Sequence, residues 1–205
     1  MNDPARRIRQ LHVLAIAIGV LPVASLILGA LTDELGAEPI ERVTHVTGGW
    51  TLRFLLVSLA VTPVRRLFGW RWLAPLRRTF GLIAFSYACL HYITFIGLEH
   101  FFDWELILED VLERRYVTAG FAALLCLVPL AATSTRTMMR RLGRRWKILH
   151  RLAYLAAILG VIHFLWLVKA DLLEPLLYAA VLGLLLAARL WLKRSAASAR
   201  QLQET

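Results

Sequence analysis

The sequence predicts an all-α integral membrane protein, a single bundle of six transmembrane helices over residues 1–205 with both termini in the cytoplasm. Of the 205 residues, 59% are hydrophobic, against roughly 45–50% in soluble domains. The apolar residues gather in runs of about 20, the helical length that crosses a ~30 Å hydrocarbon core. The predicted helices cover residues 11–31, 43–64, 79–98, 116–135, 146–168 and 173–192.

The first predicted helix follows a basic segment that contains Arg6, Arg7 and Arg9. A basic start before an apolar run is also typical of a secretory signal peptide. Because this run is longer than the usual apolar region of a signal peptide and no clear cleavage site follows, we predict a retained helix. The second predicted helix carries Arg53 within its span, so Arg53 is expected to face protein, water or a bound anion.

The later helices differ in their polar content. The third contains His91, and the stretch 99–115 after it mixes apolar and acidic residues at the spacing of a short interfacial helix. The fourth is uncharged, and the fifth carries His150 and His163. The sixth carries Arg189 near its end, where the side chain is expected to reach the headgroups. No internal repeat is evident.

Loop charges predict the orientation of the bundle. Most of the 24 Lys and Arg residues lie in the N-terminal segment, the second and fourth loops and the C-terminal tail, whereas the other loops are acidic or mixed. Positive loops stay in the cytoplasm, and we term that side the inner side and the opposite one the outer side. The formal charge of +10 is not gathered on one soluble face, so lipid headgroups, and not nucleic acid, are the expected counterpart.

Depth in the membrane distinguishes the histidines. At 1.5 Å of rise per residue, His91 lies ~18 Å and His163 ~24 Å from the inner edge, whereas His150 lies ~5 Å from it. Ionisable side chains in hydrocarbon are candidate functional residues. Two neutral imidazoles at similar depth on different helices can hold one haem iron, which makes His91 and His163 candidate haem ligands.

Other interpretations of the histidines stay open. A Ser, a Thr or a backbone carbonyl can satisfy a single buried histidine, and a proton relay remains an alternative, although no carboxylate lies in the middle of these helices. A zinc site fits less well with so few Cys and acidic ligands. His150 and His163 lie ~140° apart around an ideal helix, so they share a face only if the helix bends or bulges, for instance at Gly160. His100 is interpreted as an interface residue.

Three stretches carry a resemblance to a known family. They are THVTGGWTLRFLLVSLAVTP (44–63), RRTFGLIAFSYACLHYITF (77–95) and TSTRTMMRRLGRRWKILHRLAYLAAILGVIHFLWLVK (133–169). The chain resembles the MsrQ family, the haem-binding membrane subunits of the periplasmic methionine sulfoxide reductase system. That family is part of the ferric-reductase-like transmembrane superfamily, and the resemblance covers nearly the whole chain.

The resemblance implies a set of site residues. His91, His150 and His163 would ligate the iron of one or two haem b groups. Members of the wider superfamily pair two histidines on the third helix with two on the fifth, and here the third helix offers only His91. His45 matches a histidine of the family's second helix and is a candidate haem ligand or site-lining residue. Arg53 is a candidate contact for a haem propionate or a quinone, and FMN is implied without a location.

The resemblance also implies a function in the bacterial inner (cytoplasmic) membrane. Such a subunit takes electrons from the quinone pool, or from a cytosolic flavin reductase, and passes them through haem to the periplasmic molybdopterin reductase MsrP, which repairs oxidised periplasmic proteins. Substrate catalysis would then belong to the partner. The alternatives are a stand-alone ferric or quinone-linked reductase and a non-redox small membrane transporter or scaffold.

Overall fold

A computed structural model of the chain describes residues 4–204, with the side chains of residues 6–195 and 198. Residues 1–3 and 205 of the predicted domain therefore lie outside the described range. Within it the regular structure is helical, and no strand is present. The α-helices are α1 (Pro4–Leu31), α2 (Pro39–Phe68), α3 (Leu76–Thr94), α4 (Trp104–Glu113), α5 (Arg115–Ala132), α6 (Arg136–Leu142), α7 (Arg144–Leu149), α8 (Leu152–Leu167) and α9 (Leu173–Glu204).

Six segments of the described chain have the length and hydropathy of membrane spans. The predicted six-helix membrane architecture is thereby confirmed, and the chain is a multi-pass membrane protein. The orientation of its termini stays a prediction. The six segments are Arg6–Leu31, Pro39–Phe68, Arg71–Glu99, Arg115–Ala132, Arg144–Leu167 and Leu173–Ser195.

Several helices extend beyond their predicted ends. Helix α2 continues to Phe68 and ends at Gly69, whose left-handed φ of 71° is a conformation that glycine adopts without a steric penalty. Helix α9 continues to Glu204, well past the predicted end at residue 192. Apolar runs predict only the part of a helix that lies in lipid, because the backbone hydrogen bonds of a helix continue into water where side chains are polar.

The outer loop after α3 contains the short helix that the sequence predicts. A π turn, Phe95–Glu99, continues α3, and α4 follows it. The Asp103 carboxylate accepts hydrogen bonds from the backbone N–H groups of Glu105 and Leu106, which caps the first turn of α4. Helix α4 buries Ile107 and Asp110 against the bundle.

The fifth span is broken near its inner end. Helix α7 ends at Leu149 and α8 begins at Leu152, so His150 and Arg151 lie in a turn between the two helices. The expected position of a bend, Gly160, instead lies inside an unbroken stretch of α8. Because of this break, His150 does not lie on the helix that carries His163.

Small and branched residues form the centre of the bundle, where α2 packs most closely on α3 and α5 on α8. Ala84, Ala156 and Ala157 are almost completely buried beside Leu59, and such small residues let membrane helices approach one another.

The expectation for Arg189 was wrong. Because α9 extends far beyond Arg189, this residue does not lie near a helix end. Its guanidinium turns inward and donates hydrogen bonds to the Tyr154 hydroxyl and the Leu59 carbonyl.

Candidate functional site

Two histidines meet between the paired helices in the outer half of the bundle. The imidazoles of His91 on α3 and His163 on α8 have ring centroids 6.0 Å apart, and their planes are inclined by 80°. Two imidazoles bound on opposite sides of one metal ion have centroids roughly 6 Å apart, because metal–imidazole bonds are about 2 Å long. The observed spacing therefore fits the ligation of a single iron by both residues.

Backbone carbonyls hold the Nδ1 atom of each imidazole. His91 Nδ1 donates to the Thr44 carbonyl of α2 at 3.0 Å, and His163 Nδ1 donates to the Tyr116 carbonyl of α5 at 2.6 Å. A carbonyl only accepts, so each neutral ring carries its proton on Nδ1 and keeps the lone pair on Nε2. Metal-ligating histidines are commonly oriented in this way by their second nitrogen.

A glycine beside each ring provides the necessary space. A Cβ at Gly48 would lie 3.0 Å from His91 Cε1, and a Cβ at Gly120 would lie 2.8 Å from His163 Nδ1. Separations this short would force the ring to move. Gly48 follows Thr44 by one helical turn, and Gly120 follows Tyr116 by the same interval. The same turn of helix therefore accepts the hydrogen bond of the imidazole and leaves space for its ring.

The two halves of the site correspond to each other. The Thr44–His91 and Tyr116–His163 pairs are both separated by 47 residues. Sequence analysis missed this correspondence, because few residues are identical between the α2–α3 and α5–α8 hairpins. The repeated interval from a glycine to a histidine, Gly48 to His91 and Gly120 to His163, was the signal that could have revealed it.

The third predicted ligand, His150, lies in a separate inner site. Its Nε2 lies 3.2 Å from the Thr133 hydroxyl, and its ring stacks on Trp146 with the centroids 3.9 Å apart. The Thr133 hydroxyl donates its own hydrogen to the Pro129 carbonyl at 2.6 Å. It therefore accepts from His150, whose proton is on Nε2.

A cavity of about 400 Å³ adjoins His150. It is lined by several basic side chains, and none of its described lining residues is acidic. His12 of α1 lines the same cavity and lies 2.6 Å from the Thr79 hydroxyl through its Nδ1. Sequence analysis did not place His12 at this site, because the packing of α1 on the other helices has no signature in the sequence. The basic lining residues are Arg77, Arg78 and Arg136.

The two remaining candidates, His45 and Arg53, have side-chain partners of their own. His45 is exposed, and its Nε2 lies 3.5 Å from a Glu41 carboxylate oxygen one turn earlier on α2. Arg53 faces α9, where its Nε donates to the Tyr178 hydroxyl at 2.8 Å and its Nη2 lies 3.4 Å from Glu174. The expectation that Arg53 faces a polar partner within the span is confirmed, and the partner is protein.

The fold and the paired imidazoles define the class of this protein, a multi-pass helical membrane protein with an intramembrane two-histidine site. A family model described as the ferric reductase like transmembrane component matches residues 47–161, which is more than half of the chain; the match includes His91 and ends two residues before His163.

Relatives narrow this class to one family. A protein of Rhodospirillum rubrum is 59% identical over 158 residues, covering 77% of this chain and 76% of its own. One of Herminiimonas arsenicoxydans is 50% identical over 182 residues, covering 86% and 84%, respectively. One of Azospira oryzae is 48% identical over 169 residues, covering 82% and 72%. Each is named protein-methionine-sulfoxide reductase heme-binding subunit MsrQ. The chain belongs to the MsrQ family.

Proposed function

We propose that this protein is a haem b electron-transfer subunit of the bacterial inner membrane. It takes electrons from the quinone pool, or from a cytosolic flavin reductase, and passes them to a periplasmic molybdopterin methionine sulfoxide reductase, MsrP. The names of the relatives support the haem and the reductase system. The donor, the acceptor and the membrane are part of this proposal, as are a single domain over the whole chain and cytoplasmic termini.

The observation that carries the proposal is the geometry of His91 and His163. Their rings lie at the spacing of two ligands on one metal ion. The carbonyls of Thr44 and Tyr116 fix both Nδ1 protons, which leaves two Nε2 lone pairs for an iron. A histidine that only filled space in a core would need neither a free Nε2 nor a glycine beside its ring.

The residues of the chain then have separate tasks. His91 and His163 bind the iron, and bound haem supplies one-electron oxidation and reduction. Thr44 and Tyr116 hold the ligands in one tautomer and orientation, which makes the imidazoles better ligands. The surrounding helices keep bulk water away, because their lining side chains are predominantly apolar.

The inner cavity is the proposed point of electron entry. His150 is proposed as the iron ligand of a second haem there, which requires its Nε2 to leave the Thr133 hydroxyl. The cationic lining formed by Arg77, Arg78 and Arg136 suits an anionic group such as a haem propionate or the phosphate of FMN. We also propose that Arg53 contacts a propionate or a quinone, and that His45 lines the outer part of the site.

A spectrum of the purified protein tests the proposal. The full chain is purified in detergent, recorded oxidised and dithionite-reduced, and its haem b is quantified per chain. We expect sharp low-spin b-type bands, reduction by a quinol or by a flavin reductase, and reoxidation when MsrP and methionine sulfoxide are added. A preparation that stays colourless after haem supplementation would overturn the proposal and would favour a transporter or scaffold.

The stand-alone reductase is the second candidate, and the family name of the matching model favours it. It differs in its electron acceptor. Rapid reoxidation of the reduced protein by a ferric chelate, with no response to MsrP and methionine sulfoxide, would support this candidate over the two-component system.

A further inference from the structure

A cluster of one arginine around a buried histidine–aspartate pair lies in the outer loop, outside the site of His91 and His163. His100 and Asp110 expose only 8% and 5% of their surfaces, and His100 Nε2 lies 2.9 Å from Asp110 Oδ2. The other carboxylate oxygen, Oδ1, lies 2.9 Å from Arg114 Nε. We refer to His100, Asp110 and Arg114 as the outer cluster.

Both nitrogens of the His100 ring face acceptors. Nε2 faces the Asp110 carboxylate, and Nδ1 lies 3.0 Å from the Phe95 carbonyl. The ring is also packed on the Phe95 side chain, with centroids 4.3 Å apart.

The two ends of the outer cluster reach the two halves of the histidine pair. Phe95 follows His91 by one turn, in the π turn that ends α3. At the other end, Arg114 Nη1 donates to the Tyr116 hydroxyl at 3.2 Å, and this bond holds the pKa of Arg114 above its ordinary value. The Tyr116 carbonyl is the group that accepts from His163 Nδ1.

These contacts form one continuous polar connection between the two hairpins. It begins at the α3 turn that follows His91, passes through His100, Asp110 and Arg114, and ends at the residue that orients His163. A hydrogen-bonded network built on a buried histidine–carboxylate pair rigidifies the elements that it joins. An ordinary loop needs no buried carboxylate held by both a histidine and an arginine, since burying a charge carries a desolvation cost.

We propose that the outer cluster positions the His91–His163 pair, fixing the separation and orientation of the two ligand-bearing hairpins and thereby the ligand field of the outer haem. This inference rests on the proposed function, because it assigns a positioning role around the same iron. His100, Asp110 and Arg114 do not touch the iron and act through Phe95 and Tyr116.

The test is Asp110→Asn in the full chain, with Glu109→Gln as the matched control. Both changes remove one negative charge from α4, but Glu109 is exposed and lies outside the cluster. Haem content, the low-temperature electron paramagnetic resonance (EPR) spectrum and the haem midpoint potential are measured in detergent. We expect Asp110→Asn to retain haem with shifted low-spin g-values and a shifted potential, and Glu109→Gln to match the wild type.

Arg114→Lys keeps the test decisive if Asp110→Asn does not fold. Arg114 has a half-exposed side chain, and lysine keeps its charge but lacks the planar fork that bridges Asp110 and Tyr116. We expect a smaller spectral shift of the same kind. Unchanged g-values and potential in a haem-loaded variant would overturn the positioning role alone, whereas a wild-type chain without haem would overturn the proposed function.

Discussion

At the outer site the backbone holds Nδ1 of both imidazoles, whereas at the inner site a hydroxyl group holds Nε2 of the single imidazole. His91 and His163 therefore both keep a free Nε2 lone pair, and their ring centroids lie 6.0 Å apart. His150 Nε2 donates to Thr133, and its ring is stacked on Trp146. The outer site is preorganised for an iron, and the inner site must first break a hydrogen bond.

The residues that surround the two sites also differ. Glycines flank the outer rings and let the backbone approach them closely, whereas arginines line the cavity beside His150. Tight enclosure suits a permanently bound group, and a cationic cavity suits a group that carries negative charge. Histidines on one membrane span therefore need not have the same role.

Alanine substitution of the histidines is expected to have the largest effect, and it distinguishes the outer site from the inner site. His91→Ala and His163→Ala each remove one of two ligands, so we expect loss of the outer low-spin haem. His150→Ala leaves both outer ligands in place and is expected to retain it. Haem b per chain and the reduced visible spectrum measure the difference, with the unsubstituted chain as the reference. Loss of the outer haem in His150→Ala, but not in His91→Ala or His163→Ala, would contradict this assignment of the ligands.

The glycines provide a graded second test. In Gly120→Ala the new Cβ would lie 2.8 Å from His163 Nδ1, and in Gly48→Ala 3.0 Å from His91 Cε1. Displacing an oriented ligand lowers metal affinity by about 10–100-fold, so we expect weaker haem retention, with Gly120→Ala the more severe. The rate of haem transfer to apomyoglobin measures this retention.

Gly160→Ala on α8 is the matched control for this series. Its Cβ would lie 3.5 Å from Leu52, an ordinary van der Waals distance, and alanine favours a helix by up to about 1 kcal/mol over glycine. We expect wild-type haem retention. Equal haem loss in all three variants would show that the glycines serve helix packing and not the imidazoles.

A smaller effect is expected at the inner site from Thr133→Val. Valine has a similar shape but cannot accept from His150 Nε2, so a hydrogen bond worth about 1 kcal/mol is lost. We expect a slightly lower melting temperature in protein whose inner site holds no second haem, where His150 Nε2 still bonds Thr133, and an unchanged outer haem spectrum. Thermal unfolding followed at the haem absorption band checks both, and an altered outer spectrum would show that the two sites are coupled.

The smallest effect is expected at the Arg53–Glu174 pair, whose side chains are about half exposed. Glu174→Leu leaves Arg53 without its carboxylate, whereas the double change Arg53→Leu and Glu174→Leu removes both charges. Replacing both members of an ion pair is often neutral, while removing one leaves an uncompensated charge. We expect the double variant to melt closer to the wild type than Glu174→Leu does. The reverse order would indicate that Arg53 binds another anion.

Hydropathy was sufficient to predict the six spans, because a hydrocarbon core requires long apolar helices whatever their packing. Depth along the helices also predicted that His91 and His163 lie at similar levels. It could not reveal the carbonyls of Thr44 and Tyr116 as partners, since these contacts depend on how closely α2 and α5 approach the rings. The turn at His150 and the inward Arg189 were missed for the same reason.

Imidazole rescue of His163→Gly tests most directly whether His91 and His163 ligate one haem iron. Removing the side chain leaves a space beside the iron that free imidazole can fill. The low-temperature EPR spectrum is recorded without and with added imidazole. We predict that the wild-type low-spin signal disappears in His163→Gly and returns on addition of imidazole. A variant that keeps the wild-type signal without imidazole would contradict the assignment.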